Sequence, residues 1–133
     1  MSSVIQVAAG LIEREGRYLI TKRKAGVHLE GLWEFPGGKR EASETLEACL
    51  HRELREELGV EIGQPDLFQV VRHAYPEKTV ELHFFRCRLV RGEAAPLGCE
   101  ALAWVRPGEL GEYEFPPADR PIVDALKKGA YGI

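Results

Sequence analysis

The chain has 133 residues, 29% of them charged, 44% hydrophobic, and a formal net charge of −3. That length fits one domain able to bury a core without disulfides or structural zinc, and the interspersed charges offer no broad basic field for a nucleic-acid polymer. Three cysteines (Cys49, Cys87, Cys99) are odd in number and lack metal-ligand spacing. They fit a reduced, cytoplasmic protein, as does the lack of a leader-like N-terminus or a membrane-length apolar run.

In chain order, Val4 to Ile12 and Arg17 to Arg23 read as two strands about the turn at Glu13 to Gly16, followed by a loop from Lys24 to Gly31. Leu32 to Phe35 is a short extended piece, and Pro36-Gly37-Gly38 reads as a tight glycine turn. Leu46, Leu50, Leu54 and Leu58 recur every fourth residue, which predicts an amphipathic helix capped by Ser43 and closed by Gly59. Leu67 to Tyr75 and Thr79 to Val90 form a predicted hairpin about Pro76-Glu77-Lys78, and Ala101 to Val105 is a further strand. Ala118 to Lys127 reads as a second helix, with Pro121 in its first turn and Gly129 beyond its end. Strands mixed with two helices far apart in sequence imply a sheet covered on both faces, hence an α/β/α sandwich.

The chemistry concentrates between Gly38 and Val60. Glu53, Glu56 and Glu57 fall within an arc of roughly 100° on the helix, where like charges three and four residues apart repel. A cation between them is therefore expected, and clustered glutamate oxygens suit magnesium or manganese, which is shared with substrate phosphates. The alternative is a solvated acidic face.

The spacing Gly38-x5-Glu44-x7-Arg52-Glu53-Leu54-x-Glu56-Glu57-x-Gly59-Val60 resembles the Nudix box at every fixed position. Trp33 to Gly38 and Phe115-Pro116-Pro117-Ala118-Asp119-Arg120-Pro121 look like the MutT-type branch, which hydrolyses oxidised guanine triphosphates such as 8-oxo-dGTP and so protects replication. The resemblance implies a Nudix fold, an α/β/α sandwich around a mixed sheet, occupying residues 1–133 as one domain with its box at 38–60. It further implies Mg2+, with Mn2+ as a substitute, held by Glu53, Glu56, Glu57 and the Gly37 carbonyl. Arg52 orients the carboxylates, Glu44 fixes the box loop or contacts water, and the general base is Glu53, with Glu44 the other candidate.

Arg23 resembles the family's phosphate- or base-contacting arginine, against the plainer reading of a solvated strand end. Phe35 and His28 are candidates for the base pocket or for ordinary packing and loop surface, and Lys78 in the hairpin turn is a further substrate-binding candidate. Related enzymes often carry a glutamate ligand where this chain has Gly98, with Glu100 nearby at the wrong offset. Where they commonly have asparagine this chain has Asp119. Ionised, it accepts only, suiting guanine N1–H and N2–H2 or the cytosine amino group; alternatively it caps the second helix.

The expected reaction is metal-assisted hydrolysis of a nucleoside triphosphate to monophosphate and pyrophosphate by a cytoplasmic monomer or weak dimer that binds neither membrane nor polymer. The leading expectation is an 8-oxo-dGTP diphosphatase. Its alternatives are a pyrophosphohydrolase of CTP or a modified pyrimidine nucleotide and a non-catalytic nucleotide-binding module.

Overall fold

The computed structural model describes residues 4–129; the outermost residues of the expected 1–133 span lie outside the described residues. The strands are β1 (Val4–Arg14), β2 (Arg17–Lys22), β3 (Trp33–Glu34), β4 (Gly37–Lys39), β5 (Glu61–Ile62), β6 (Asp66–Ala74), β7 (Thr79–Cys87), β8 (Leu89–Arg91) and β9 (Ala101–Val105). The helices are α1 (Leu46–Leu58) and α2 (Arg120–Lys127), the latter preceded by 3-10 turns at Pro107–Glu112 and Pro117–Asp119. The main sheet runs β3-β2-β1-β7-β6, with β4 beside β1 and β9 beside β2. β1 pairs parallel with β7 and antiparallel with β2 and β4, so the sheet is mixed as expected.

The near-continuous apolar run of β1 is buried on both faces. Ala8 and Ile12 join Leu19, Leu50, Leu54, Leu58 and Phe85 in the core beneath α1. Their neighbours Ala9 and Leu11 join Ile20, Phe84, Ile122, Val123 and Leu126 in the core beneath α2. Alternate residues of a strand point to opposite faces, so one strand supplies both cores and the fold is the expected α/β/α sandwich. Gly10 is part of this fit: a Cβ there would stand 3.3 Å from Cys87 Sγ and 3.5 Å from Leu54 Cδ1. All three cysteines are buried and free.

Several local expectations change. The cap of α1 is Thr45, whose Oγ1 accepts from the Ala48 amide at 3.0 Å, two residues after the expected Ser43. The C-terminal end is as read, with Gly59 left-handed at φ 73° and its amide donating to the Arg55 carbonyl. Pro36-Gly37-Gly38 is a bend followed by a strand: the Gly10 amide donates to the Pro36 carbonyl, and Gly37 to Lys39 pair with Ala9 to Val7. The glycines serve close approach, since a Cβ on Gly37 would strike the Ala8 carbonyl and one on Gly38 the Glu53 carboxyl.

The second hairpin strand stops at Cys87. Leu89–Arg91 turns away to pair with β5, a two-stranded ribbon too short to register as periodicity. The second helix starts at Arg120 because Pro117–Asp119 forms a 3-10 turn first. No helix among the described residues is long and apolar enough to cross a membrane.

Candidate active site

Arg52 organises the acidic face of α1. Its Nε and Nη2 donate to the two oxygens of Glu44 at 3.0 and 2.7 Å, a fork-to-fork pairing that fixes both groups. Its Nη1 donates to Glu53 at 2.9 Å and Glu56 at 3.2 Å, and Nη2 also reaches the Lys39 carbonyl at 3.1 Å. One guanidinium thus ties the loop before α1, the end of β4 and two helix carboxylates together. Glu44 also accepts from the Glu41 amide at 2.9 Å. Arg52 and that amide pull its carboxyl down to about 2.

Glu53 lies against Gly38, the place a Cβ would occupy. Burial raises its carboxyl above the ordinary range, against the opposing pull of Arg52. Glu57 is pushed up to about 8, first by burial and then by the charges of Glu34 and Glu53, while the Gly37 amide holds it down. Its Oε1 is buried without a hydrogen-bond partner. Glu56 is more open, its side chain 62% exposed.

Among the described residues no three carboxylate, thiol or imidazole groups converge tightly enough to hold an ion as the side chains stand, because Arg52 draws Glu53 and Glu56 toward itself. The donor set nevertheless fits a hard divalent cation. Three carboxylates influence one another across Glu34, Glu53 and Glu57, and a buried carboxylate oxygen lacks any donor; buried oxygens of this kind are normally paired. A divalent ion bound there would satisfy that oxygen and offset the mutual repulsion.

Beside this face opens a cavity of about 360 Å3 whose walls include Ile5, Val7, Leu82, Glu53, Arg23 and Asp119. A space of that size with an apolar floor and charged groups converging on its walls is a usual form of a small-molecule site. Arg23 lies at its edge, its Nη1 donating to both oxygens of Glu34 at 3.0 and 3.1 Å and its Nε to the His28 carbonyl. It is therefore aimed and held in place, not a solvated strand end. Phe35 lines the wall, but its ring is stacked on Phe115 at 5.4 Å and set edge-on to Phe84, so it belongs to the core and offers no free face for stacking. His28 is exposed and meets Tyr75 edge-on at 5.5 Å, and Lys78 lines the same side.

Asp119 is 3% exposed on the cavity wall and makes no capping hydrogen bond to α2, so the helix-cap reading fails. Burial, with Glu34 adding to it and Arg23 opposing, raises its carboxyl well above the usual range. The neutral acid, not the acceptor-only carboxylate, is what this wall favours. Gly98 packs on α1, its amide donating to the Glu57 carbonyl at 3.0 Å, whereas Glu100 is exposed and its amide is bonded to the Lys22 carbonyl. The chain thus sets glycine backbone beside Glu57 at the position where the resemblance implies a glutamate ligand.

Glu34 and Tyr75, both on the cavity wall, were not among the expected site residues. Glu34 lies opposite Thr21 in the β2–β3 pair, and Arg23, two residues beyond Thr21, reaches it only by its long side chain, so no spacing in the sequence marks the pair. Tyr75, which contacts both His28 and His73, looked only like the end of a strand.

A NUDIX domain family model matches residues 7–125. The chain is 36% identical over 123 residues to a CTP pyrophosphohydrolase of Escherichia coli K12, covering 92% of this chain and 91% of that one. It is equally 36% identical over 131 residues to the 8-oxo-dGTP diphosphatase of the same strain, covering 93% and 97%. The crystal structure of a MutT protein from Methanosarcina mazei Go1 superposes with a TM-score of 0.86 at 25% identity, covering 98% of each chain.

Proposed function

The chain belongs to the NUDIX domain family, and from that membership we propose that this Nudix hydrolase, a single domain, converts a nucleoside triphosphate to its monophosphate and pyrophosphate, with 8-oxo-dGTP as preferred substrate. The observation that carries the reading is the juxtaposition of the acidic face of α1, ordered by Arg52 and containing an unpartnered buried oxygen on Glu57, with a cavity of nucleoside size.

Glu53, Glu56 and Glu57, with the Gly37 carbonyl, would hold magnesium, or manganese in its place. When bound, such an ion supplies Lewis-acid neutralisation of phosphate charge and a more acidic water. The protein's own work is orientation. Arg52 fixes Glu53 and Glu44 relative to each other, and Gly38 leaves room for the Glu53 carboxyl. Glu53 is the general base: its carboxyl stands above the ordinary range, whereas Glu44, pinned near 2 by Arg52 and an amide, is the weaker proton acceptor. Arg23 and Lys78 meet the phosphate chain or base edge with positive charge, and the His28–Tyr75 pair borders the opening.

Asp119 reads the base. A neutral carboxyl offers one donor and one acceptor, the pairing an asparagine presents to guanine O6 and N1–H, and this supports the oxidised-guanine reading over one built on an acceptor-only aspartate. A second reading, hydrolysis of CTP or a modified pyrimidine nucleotide, is favoured by the equal identity to the CTP pyrophosphohydrolase. Catalytic efficiencies for pyrophosphate release from 8-oxo-dGTP, dGTP, CTP and 5-substituted dCTP separate them. The proposal expects 8-oxo-dGTP to lead by at least about tenfold, the scale of one well-placed hydrogen bond; CTP leading would overturn it in favour of the second reading.

A further inference from the structure

A second polar system starts on the sheet, away from the cavity, and ends on the loop before α1. Gln6 on β1 lies opposite Glu81 on β7, and Arg72 on β6 lies opposite the same residue. Glu81 Oε1 accepts from Gln6 Nε2 at 3.0 Å and lies 2.8 Å from His83 Nε2, while its Oε2 accepts from Arg72 Nη2 at 2.8 Å. An ionised carboxylate only accepts and a guanidinium only donates. With its amide nitrogen on Glu81, Gln6 can only turn its carbonyl oxygen the other way, where it accepts from Arg40 Nε at 2.9 Å. The backbone agrees, since the Arg40 amide donates to the Gln6 carbonyl at 2.9 Å.

Held from behind in this way, Arg40 places its Nη1 over the loop between β4 and α1. It donates to the carbonyls of Glu41, Ala42 and Glu44 at 3.3, 3.4 and 3.0 Å. That loop carries Glu44, the residue that grips Arg52 and, through it, Glu53. The loop is exposed and contributes little to either core, so its shape rests on these polar contacts. Side-chain hydrogen bonds therefore run from the β6–β7 pair through Glu81 and Gln6 to Arg40, which grips the backbone of the loop whose Glu44 side chain holds Arg52 on α1.

We infer that Arg40, aimed by Gln6 and Glu81, is a positioning residue for hydrolysis, fixing the loop from Glu41 to Glu44 so that Glu44 keeps Arg52 and Glu53 in register. This rests on the hydrolytic reading above. Arg40 touches neither the cavity nor the substrate; it acts through Glu44. Misplacing a catalytic group by a fraction of an ångström lowers turnover without weakening substrate binding, so the effect falls on kcat.

The test uses the full chain with Arg40→Ala, Gln6→Leu and the double variant. It measures kcat and KM for 8-oxo-dGTP at saturating magnesium, and the magnesium concentration giving half the maximal thermal shift without nucleotide. Arg40→Ala is expected to lower kcat about 5- to 30-fold with KM within about threefold, and to raise the half-saturating magnesium severalfold. Gln6→Leu moves the same quantities less, and the double variant is no worse than Arg40→Ala because both act through one contact. Unchanged kcat and magnesium half-saturation in Arg40→Ala, or losses that multiply in the double variant, would overturn the inference. A wild-type chain that turns over no nucleoside triphosphate overturns the functional reading itself, whereas an active wild type with an unaffected Arg40→Ala overturns the positioning role alone.

Discussion

Replacing Glu57 by glutamine should separate stability from function. In the metal-free folded chain burial and the neighbouring Glu34 and Glu53 push this carboxyl to about 8 from an ordinary 4.5. Between those values the folded state holds more protons than the unfolded one, so this residue's contribution to stability falls as pH rises from 4.5 to 8. At pH 7 the full shift would cost the fold about 3 kcal/mol, and partial solvent access brings the realistic figure to roughly 1–2 kcal/mol. Glutamine has no charge to desolvate. The metal-free variant should therefore melt roughly 3–8 °C above wild type at pH 7, and the difference should vanish near pH 4.5. With magnesium the order reverses, because the wild type binds the ion more tightly and gains more from it, and turnover of the variant should fall at least about a hundredfold. Thermal melts across pH 4.5–8, with chelator and with magnesium, measure all of this. A metal-free Glu57→Gln that is less stable than wild type at pH 7, or a wild-type-minus-variant difference with no slope over that window, would refute the electrostatic account of the site.

Three other outcomes follow from the same geometry. Glu53→Gln should lose about 10²–10⁴-fold in kcat with its melting temperature retained; full activity at saturating magnesium would remove Glu53 as the base. Asp119→Asn should stay within about threefold of wild type on 8-oxo-dGTP, because an amide reproduces the donor and acceptor of a neutral acid, whereas Asp119→Ala should lose about 10- to 100-fold in efficiency. Equal efficiencies for the asparagine and alanine variants would remove Asp119 from base recognition. Leu54→Ala, emptying a fully buried site under the sheet, should destabilise by about 2–5 kcal/mol, seen as a lower urea midpoint; an effect below about 1 kcal/mol would show that α1 is not held by its leucine ridge.

The box was legible because helical periodicity and chemistry coincide in it: the leucines that anchor α1 to the sheet fix which way Glu53, Glu56 and Glu57 face. The long strands were equally visible, β9 to the residue. The Thr45 cap was not, since Ser43 and Thr45 are equivalent capping chemistries and only the loop path, held by Arg40 and Glu44, decides between them. The β5–β8 ribbon has too few residues to carry a period.

The character of Asp119 was hidden for a different reason. A residue type gives its chemistry in water, while its protonation depends on burial and on Glu34 and Arg23, which the fold brings near Asp119 from far along the chain. Phe35 shows the same limit, its ring committed to Phe115, a partner 80 positions along the chain. The Arg40–Gln6–Glu81 chain joins two strands and one loop, and no sequence spacing announces it.

The most direct test of the account is product analysis of 8-oxo-dGTP incubated with the protein, with magnesium and with excess chelator. The account predicts 8-oxo-dGMP and pyrophosphate in equal amounts with magnesium and neither with chelator; release of orthophosphate in place of pyrophosphate, or turnover that survives exhaustive chelation, would contradict it.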